Sequence, residues 1–390
     1  MPDMSPRPSS PRVFLVVQPT VSHYREPLMK RLLESSRLDV ELVGRFKNSE
    51  ASAADRIQPA SPEVLDEVTA LKFLTLGLLW WEVGQVRAVL SGEHDVYVLA
   101  GRIHTVSAWA AMLAGRVCGR TVLLWGHGWK RPESGIKRRL RLAFYRLSDG
   151  LLVYGDRARE IGISYGVPAE KIAVVYNSIY SEDHLAAEPA DPKISGPKVS
   201  GPGCVGDDSR PTIIYSSRLT SRHRLDTLVE ALEQLETGVS SPRVIVVGDG
   251  AERPRLETRF AQAGVDAEFL GAVYDLPTLR RLYARADVAV SIGGAGLNVT
   301  QALSLGVPVV AEHGNPDSSP EIEAVVDGET GRLYRSGDPA SLRQVLEELL
   351  EDPEALRRMG RNGLQVVRER YTAEKHAAAM EEAILSFLES

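Results

Sequence analysis

Residues Ser291 to Val310 read Ser-Ile-Gly-Gly-Ala-Gly-Leu-Asn-Val-Thr-Gln-Ala-Leu-Ser-Leu-Gly-Val-Pro-Val-Val, and this stretch narrows the possible folds more than any other in the chain. A short apolar run, Val288 to Ile292, ends in Gly293, Gly294 and Gly296. A helical segment follows, stops at Gly306, and gives way to the β-branched run Val307 to Val310. Strand, glycine loop, helix and strand make a βαβ unit with its loop at the carboxyl end of the first strand. Glycines there let backbone N–H groups approach a ligand, and the helix start adds free donors and a positive dipole end. The expectation is an anion site suited to a diphosphate. A plain tight corner uses the same residues, so the motif acquires meaning only from the rest of the chain.

That rest repeats the pattern. Strand candidates at Val13–Val17, Val40–Val43, Val96–Ala100, Thr121–Trp125, Leu151–Tyr154 and Ile172–Tyr176 alternate with helical stretches such as Tyr24–Glu34, Thr105–Val117, Glu133–Leu147 and Arg157–Tyr165. From Glu188 to Arg210 the composition turns to Pro, Gly, Ser, Asp and Lys with no apolar periodicity, which reads as a linker. Alternation then restarts at Thr212–Tyr215 and runs to a helical end at Leu388. For 390 residues, two α/β domains with parallel sheets are the natural solution. The expected division is a domain over 12–185, a linker over 186–210, a second domain over 211–371 and a C-terminal helix over 372–390.

Charge is unevenly shared. Residues 1–180 hold 24 Lys and Arg against 18 Asp and Glu, whereas the whole chain has net charge −6. A basic first half suits an anionic partner, and an acidic second half argues against general nucleic-acid binding. Two cysteines, Cys118 and Cys204, make neither a disulfide framework nor a metal cluster, and a reduced, cytoplasmic setting is expected. Cys118 sits on an apolar helix and reads as buried filler. The first eleven residues lack a secretory pattern. Leu71–Leu90 is apolar but broken by Lys72, Glu82 and Arg87, which fits a packed or surface-lying helix rather than a membrane span.

An ordered set of short motifs then appears across the second half. Ser217-Arg218-Leu219 follows a strand, and Asp226 and the helix Leu228–Leu232 come after it. Val246-Val247-Gly248-Asp249-Gly250, Phe269-Leu270-Gly271, Ala286-Asp287-Val288, the glycine loop, Ala302–Pro308 and Asp327-Gly328-Glu329-Thr330-Gly331 complete it. The set resembles the nucleotide-sugar domain of retaining GT-B glycosyltransferases, family 4 (glycosyl transferases group 1) in particular. The first half matches more loosely through His23-Tyr24-Arg25, Trp125-Gly126-His127-Gly128 and Val174-Val175-Tyr176-Asn177.

The resemblance implies two doubly wound Rossmann-like domains facing across a cleft. It also implies transfer of a sugar from a nucleoside diphosphate donor with retention, with no metal and no cofactor beyond the donor itself. Its catalytic candidates are Arg218, at the family's phosphate arginine, and His127, which there contacts the donor sugar. Donor contacts fall to Gly248, Gly250, Gly294, Gly296, Leu297 and Asn298. The family's lysine-glycine pair is replaced by His223 and Arg224, so its charge is left to Arg222, Arg224 or a protonated His223. The family's two glutamates fall on Gly293 and Gln301. A glutamine carbonyl still accepts from ribose hydroxyls, but glycine cannot reach a sugar. The missing contact is left to loop donors from Gly294 to Asn298, with Asn298 and Thr300, or to Glu321 or Glu323. His23 and Arg25 are the acceptor-side candidates.

Residues 130–146 set Lys130, Arg131, Lys137, Arg138, Arg139, Arg141 and Arg146 around Ile136, Leu140, Leu142, Phe144 and Tyr145. That pattern suits either a helix lying on an anionic inner-membrane surface or a solvated face over a core. The acceptor class stays open among small molecules, saccharides and lipid-linked sugars. A nucleotide-sugar-binding pseudoenzyme and a sugar-nucleotide epimerase are the alternatives, motivated by Gly293 and Gln301 and by the shared fold. A dinucleotide oxidoreductase fits poorly, because Val13–Val17 runs into Gln18-Pro19-Thr20 and not into a glycine fingerprint.

Overall fold

The computed structural model describes residues 10–18, 20–46, 57–186, 210–235 and 241–389. The chain divides into two units, the first made of Met1–Ala51, Arg56–Ser181 and Thr372–Ser390, the second of Ser52–Asp55 and Glu182–Tyr371. Unit 1 runs β1 (Arg12–Val17), α1 (Glu26–Leu33), β2 (Asp39–Gly44), α2 (Pro62–Asp66), β3 (Val68–Ala70), β4 (Phe73–Leu76), β5 (Leu79–Glu82) and α3 (Gln85–Ser91). It continues with β6 (Val96–Ala100), α4 (Val106–Cys118), β7 (Thr121–Gly126), α5 (Gly135–Leu147), β8 (Gly150–Val153), α6 (Asp156–Ser164) and β9 (Ile172–Val174).

Seven of these strands form one parallel sheet in the order β3-β2-β1-β6-β7-β8-β9. The reason lies in their composition: β6 is buried at all five positions, as a strand covered on both faces must be. Alternate residues of β1 then serve two cores. Val13, Leu15 and Val17 pack with Leu28, Met29 and Leu32 of α1, while Phe14 and Val16 pack with Ala108, Ala111 and Met112 of α4.

Unit 2 runs α7 (Glu182–Ala186), β10 (Thr212–Ser216), α8 (Asp226–Glu233), β11 (Arg243–Val247), α9 (Arg253–Gln262), β12 (Ala267–Gly271), α10 (Leu276–Tyr283) and β13 (Val288–Ser291). Then come α11 (Leu297–Ser304), β14 (Val309–His313), β15 (Gly331–Arg335), α12 (Pro339–Leu350) and α13 (Pro353–Arg370). Its six strands are parallel in the order β12-β11-β10-β13-β14-β15. Tyr215, Val246 and Val290 meet Leu228 of α8, Phe260 of α9 and Leu346 of α12 in one core. The last helix, α14 (Ala373–Leu388), returns to unit 1 and lays Ala377, Met380 and Ile384 on the β1 face that α1 also covers.

Two expectations are overturned. Leu71–Leu90 is not a helix: β4 and β5 form an antiparallel hairpin turning at Gly77, and only Gln85–Ser91 is helical. Trp80 and Trp81 favour extended backbone, and Gly77 at φ +59 supplies the turn. Cys118 is exposed, not buried. The buried stripe of α4 ends at Gly115, and Cys118 lies past it, beside the left-handed Gly119 that stops the helix. Apart from its ends, Ala186 and Arg210, the proposed linker, with Cys204, lies outside the described residues.

Candidate functional site

In unit 2 the chain builds outward from β10 through β11 to β12 on one side, and from β13 through β14 to β15 on the other. The strand order therefore reverses between β10 and β13, and in doubly wound sheets ligands bind outside the carboxyl ends of strands at such a switch point. The loop after β10 carries Arg218, Arg222, His223 and Arg224; the loop after β13 is the glycine loop.

The two loops touch through backbone. Gly293 adopts φ +78, and a Cβ there would lie 2.3 Å from His223 Cα and 2.6 Å from the Arg222 carbonyl oxygen. Gly294, at φ +105, stands against Asp317 in the same way. Arg222 Nη2 donates to the Asp317 carbonyl at 3.1 Å, Ser319 N–H to Ala295 O at 2.7 Å, and Ala295 N–H to Ser318 Oγ at 3.2 Å. Gly248 and Gly250 also serve close approach, since Cβ atoms there would meet Ser217 O at 1.9 Å and Leu219 O at 2.2 Å. Their part is to let the Arg218 loop pack down.

Most polar groups expected to meet a ligand already have partners. Asn298 accepts from Gly296 N–H at 3.0 Å and donates to Ser291 Oγ at 2.9 Å, which makes it a clamp on the loop. Thr300 is buried and donates to Leu297 O. Gln301 accepts from Ser216 Oγ at 3.3 Å, tying α11 to the end of β10. Glu321 is buried and Glu323 half-buried in the 3-10 turn Pro320–Ala324, which packs on α11.

His223 is buried, with Nδ1 2.7 Å from Thr220 Oγ1 and Nε2 3.4 Å from Ser217 Oγ. Burial, then the charges of Arg222 and Arg218, lower its pKa to about 4, so without a bound anion it is neutral at pH 7. Arg224 turns to Glu312, at 3.1 Å. What remains are the first N–H groups of α11, at Leu297 and Asn298, which a helix cannot satisfy from within, and Arg218. The Arg218 side chain is exposed and makes no hydrogen bond or ion pair among the described residues.

Sequence reasoning missed Glu312. This residue of β14 is buried, and its carboxylate accepts from Gly293 N–H at 3.0 Å, Gly337 N–H at 3.3 Å, the Asn315 amide and Arg224. It pins the glycine loop from beneath. Arg224, at φ +41, holds a left-handed backbone that a glycine would adopt freely, and its ion pair with Glu312 accompanies that strain. A carboxylate ending an otherwise apolar strand was the available signal.

Unit 1 has its own switch point, between β1 and β6. Arg45, Arg25, Arg102 and Lys130 follow the carboxyl ends of four neighbouring strands, β2, β1, β6 and β7. Arg25 is buried; it donates to Gln18 O at 3.2 Å, Tyr154 Oη at 3.0 Å and Asn177 Oδ1 at 2.5 Å, and lies over the rings of Tyr24, Trp125 and Tyr154. Its role is to brace these segments. The guanidinium of Arg102 lies 5.3 Å from the Trp80 ring centroid and makes no hydrogen bond or ion pair among the described residues. His23 is half-buried, with Nδ1 3.2 Å from Gln58 O.

His127 leaves β7 between Gly126 and Gly128, its ring 5.1 Å from that of Tyr154. Part of the ring is exposed, yet dense surroundings, then the charges of Lys130, Arg25 and Arg102, push its pKa down and keep it neutral at pH 7. Among the described residues, no three His, Cys, Asp or Glu side chains form a metal set.

Behind this cluster His376 of α14 is fully buried against Trp125 and Tyr154, with Nδ1 3.0 Å from Ser178 Oγ. Burial, then Arg25, holds its pKa well below the ordinary 6.5. The unfolded chain therefore binds the extra proton first, and stability falls as pH drops below 6.5. The expected loss from this residue is about 1 kcal/mol between pH 6.5 and 5.5. Urea melts of wild type and His376→Leu check it: the variant should show the shallower pH slope, and equal slopes would remove His376 as the cause.

Comparison with known proteins follows the same division. A family model described as glycosyl transferases group 1 matches residues 206–366, and one described as glycosyltransferase family 4 matches 29–183. A GDP-mannose-dependent alpha-(1-6)-phosphatidylinositol monomannoside mannosyltransferase of Mycolicibacterium smegmatis is 31% identical over 168 residues, 40% of this chain and 42% of that protein. Alpha-D-kanosaminyltransferase of Streptomyces kanamyceticus is 24% identical over 241 residues, 58% of each chain. The chain thus spans about two fifths to three fifths of the length of these curated relatives. The crystal structure of Anabaena HepE in complex with UDP superposes with TM-score 0.70 at 18% identity, covering 96% of this chain and all of that one.

Proposed function

The chain belongs to the GT-B glycosyltransferases of the group 1 and family 4 kind, and from that premise we propose that it transfers a sugar from a nucleoside diphosphate sugar to an acceptor hydroxyl. Unit 2 takes the donor, its diphosphate lying at the β10/β13 switch point against Arg218 and the start of α11. The observation that carries this reading is Arg218, an exposed cation without a hydrogen bond or ion pair among the described residues, on the loop pinned to the glycine turn. As the glycosidic bond breaks, its electron pair passes to the diphosphate oxygen. A fixed guanidinium and helix N–H groups stabilise that charge without reorganising.

Unit 1 takes the acceptor side, with His127 and the cations after β2, β6 and β7 (Arg45, Arg102 and Lys130) as its candidate contacts. A neutral His127 donates or accepts a hydrogen bond without adding charge. Retention and metal independence follow from the family resemblance, with the acceptor proton leaving on the departing phosphate oxygen. The named relatives point to GDP-sugars and UDP-sugars as the donors to try first.

A thermal-shift series with UDP, GDP and their sugars tests the reading. One nucleotide should stabilise the protein by about 2.7 kcal/mol at a hundredfold excess over its Kd. The matching donor should then turn over with EDTA present and give a product of unchanged anomeric configuration by NMR. No stabilisation by any nucleotide would sink the donor assignment; binding without turnover across an acceptor library would leave a nucleotide-sugar-binding protein.

A further inference from the structure

The hairpin of unit 1 is inside out. In register, Leu74 faces Trp81 and Leu76 faces Leu79, so these four side chains share one face; Phe73, Thr75, Trp80 and Glu82 share the other. Antiparallel strands normally turn their polar face to water, yet here the apolar face is the exposed one. Leu74 is 60% exposed, Leu76 82% and Leu79 52%, and Leu78 in the turn reaches 87%. The inner face is anchored: Trp80 meets the His104 ring at 4.0 Å, Trp80 N–H bonds His104 O, and Glu82 N–H bonds Ser107 Oγ. The leucines are therefore held outward by a fixed base.

The surface does not stop at the hairpin. β5 packs on α4, and α4 on α3 and α5. These helices add exposed Leu90, Leu113, Val117, Ile136 and Leu140. They carry Arg87, Arg116, Lys137, Arg138, Arg139, Arg141 and Arg146 and no acidic residue of their own; Glu133, just before α5, pairs with Lys137 and Arg141 and leaves the face with a clear excess of positive charge. The single acid of the hairpin, Glu82, is buried on the inner face. Apolar exposure this extensive marks an interaction surface, and its charge selects the partner: two copies of so basic a face repel each other, whereas an anionic surface attracts it. No helix among the described residues is long and apolar enough to cross a membrane.

The geometry points to a monotopic docking element: the β4–β5 hairpin inserts Leu76, Leu78 and Leu79 into an anionic lipid bilayer, Trp81 sits at the interface, and the basic residues of α3 to α5 meet the headgroups. This assignment stands apart from the donor reading. Where both hold, docking brings Arg102, stacked on Trp80 behind the inserted face, to the level of lipid headgroups.

The test is co-sedimentation of the full chain with phosphatidylglycerol–phosphatidylcholine vesicles and with phosphatidylcholine alone, at low and high salt. Wild type should bind the anionic vesicles and release with salt. L76S/L78S/L79S should weaken partitioning by more than about a hundredfold with its far-UV circular dichroism unchanged. No binding by wild type, or equal binding by the two proteins, overturns the assignment. So does a wild-type dimer in sedimentation velocity that the triple variant abolishes without any vesicle binding, since the leucines would then belong to a second copy. If the triple variant misfolds, brominated acyl chains decide it: they should quench wild type more than Trp81→Phe, and equal quenching overturns insertion. Nucleotide stabilisation, read on the same preparations, reports on the donor site alone.

Discussion

Arg218→Ala is expected to weaken nucleoside diphosphate binding at least tenfold and to lower kcat/KM by about a hundredfold or more, with the melting temperature of the free protein unchanged. The stability half follows from exposure: the side chain makes no hydrogen bond or ion pair among the described residues, so nothing folded depends on it. The binding half follows from the loss of charge-assisted hydrogen bonds worth roughly 1.5–3 kcal/mol. The larger kinetic effect arises because charge on the leaving diphosphate grows toward the transition state, where a fixed cation counts most. Arg218→Lys should recover only part of either quantity, since a point charge replaces a bidentate fork. Calorimetric titration with the nucleotide, beside initial rates, separates the two. Unchanged affinity and rate in Arg218→Ala would falsify the phosphate assignment.

Gly293→Glu, which restores the family's first glutamate on paper, is expected to destabilise unit 2 by roughly 3–5 kcal/mol and to abolish nucleotide binding. A side chain at 293 meets backbone, with its Cβ 2.3 Å from His223 Cα, and φ +78 is strained for any L residue. Backbone cannot swing aside as a flexible side chain can. The same turn would lose its Glu312 contact, since Gly293 N–H points at that carboxylate from 3.0 Å. Gln301→Glu is the counterpart: Gln301 accepts from Ser216 Oγ at 3.3 Å, a hydrogen bond that a carboxylate accepts equally well, and the change should cost no more than about 1 kcal/mol. Chemical denaturation of the two variants side by side checks this contrast. A Gly293→Glu protein as stable as wild type would mean that the two loops separate easily.

The alternation of apolar strands and helices made both sheets legible, because buried parallel strands have little choice of composition. The glycine loop was legible for a related reason, since a turn at a switch point leaves the backbone few residue choices; Arg218 was singled out only by its place in the resembled family's motif, and the fold puts it on the loop after β10. The hairpin was not. Leu71–Leu90 is apolar enough for a helix, and only Gly77 and the paired tryptophans argue otherwise, against a habit of reading exposed faces as polar. Glu312 escaped because its partners, Arg224, Gly293, Asn315 and Gly337, come from four separate segments that only the fold collects. Sequence could name Asn298 and Arg25 as polar candidates; it could not tell that their hydrogen-bonding atoms are occupied by neighbours.

The return of α14 to the first unit governs how this protein is made. Ala377, Met380 and Ile384 complete the core begun by Val13, Leu15 and Val17, and the Phe387 ring fills the space where a side chain on Gly150 would sit. A ribosome delivers the chain from its N-terminus, so the first unit waits with an open apolar face until the final helix emerges, while Glu182–Tyr371 is a continuous segment able to fold before it. Nascent chains stalled before Thr372 should therefore expose apolar surface to chaperones from the half that was synthesised first. For the same reason a fragment ending at Ser181 is not a domain, and one joining 10–181 to 372–390 is.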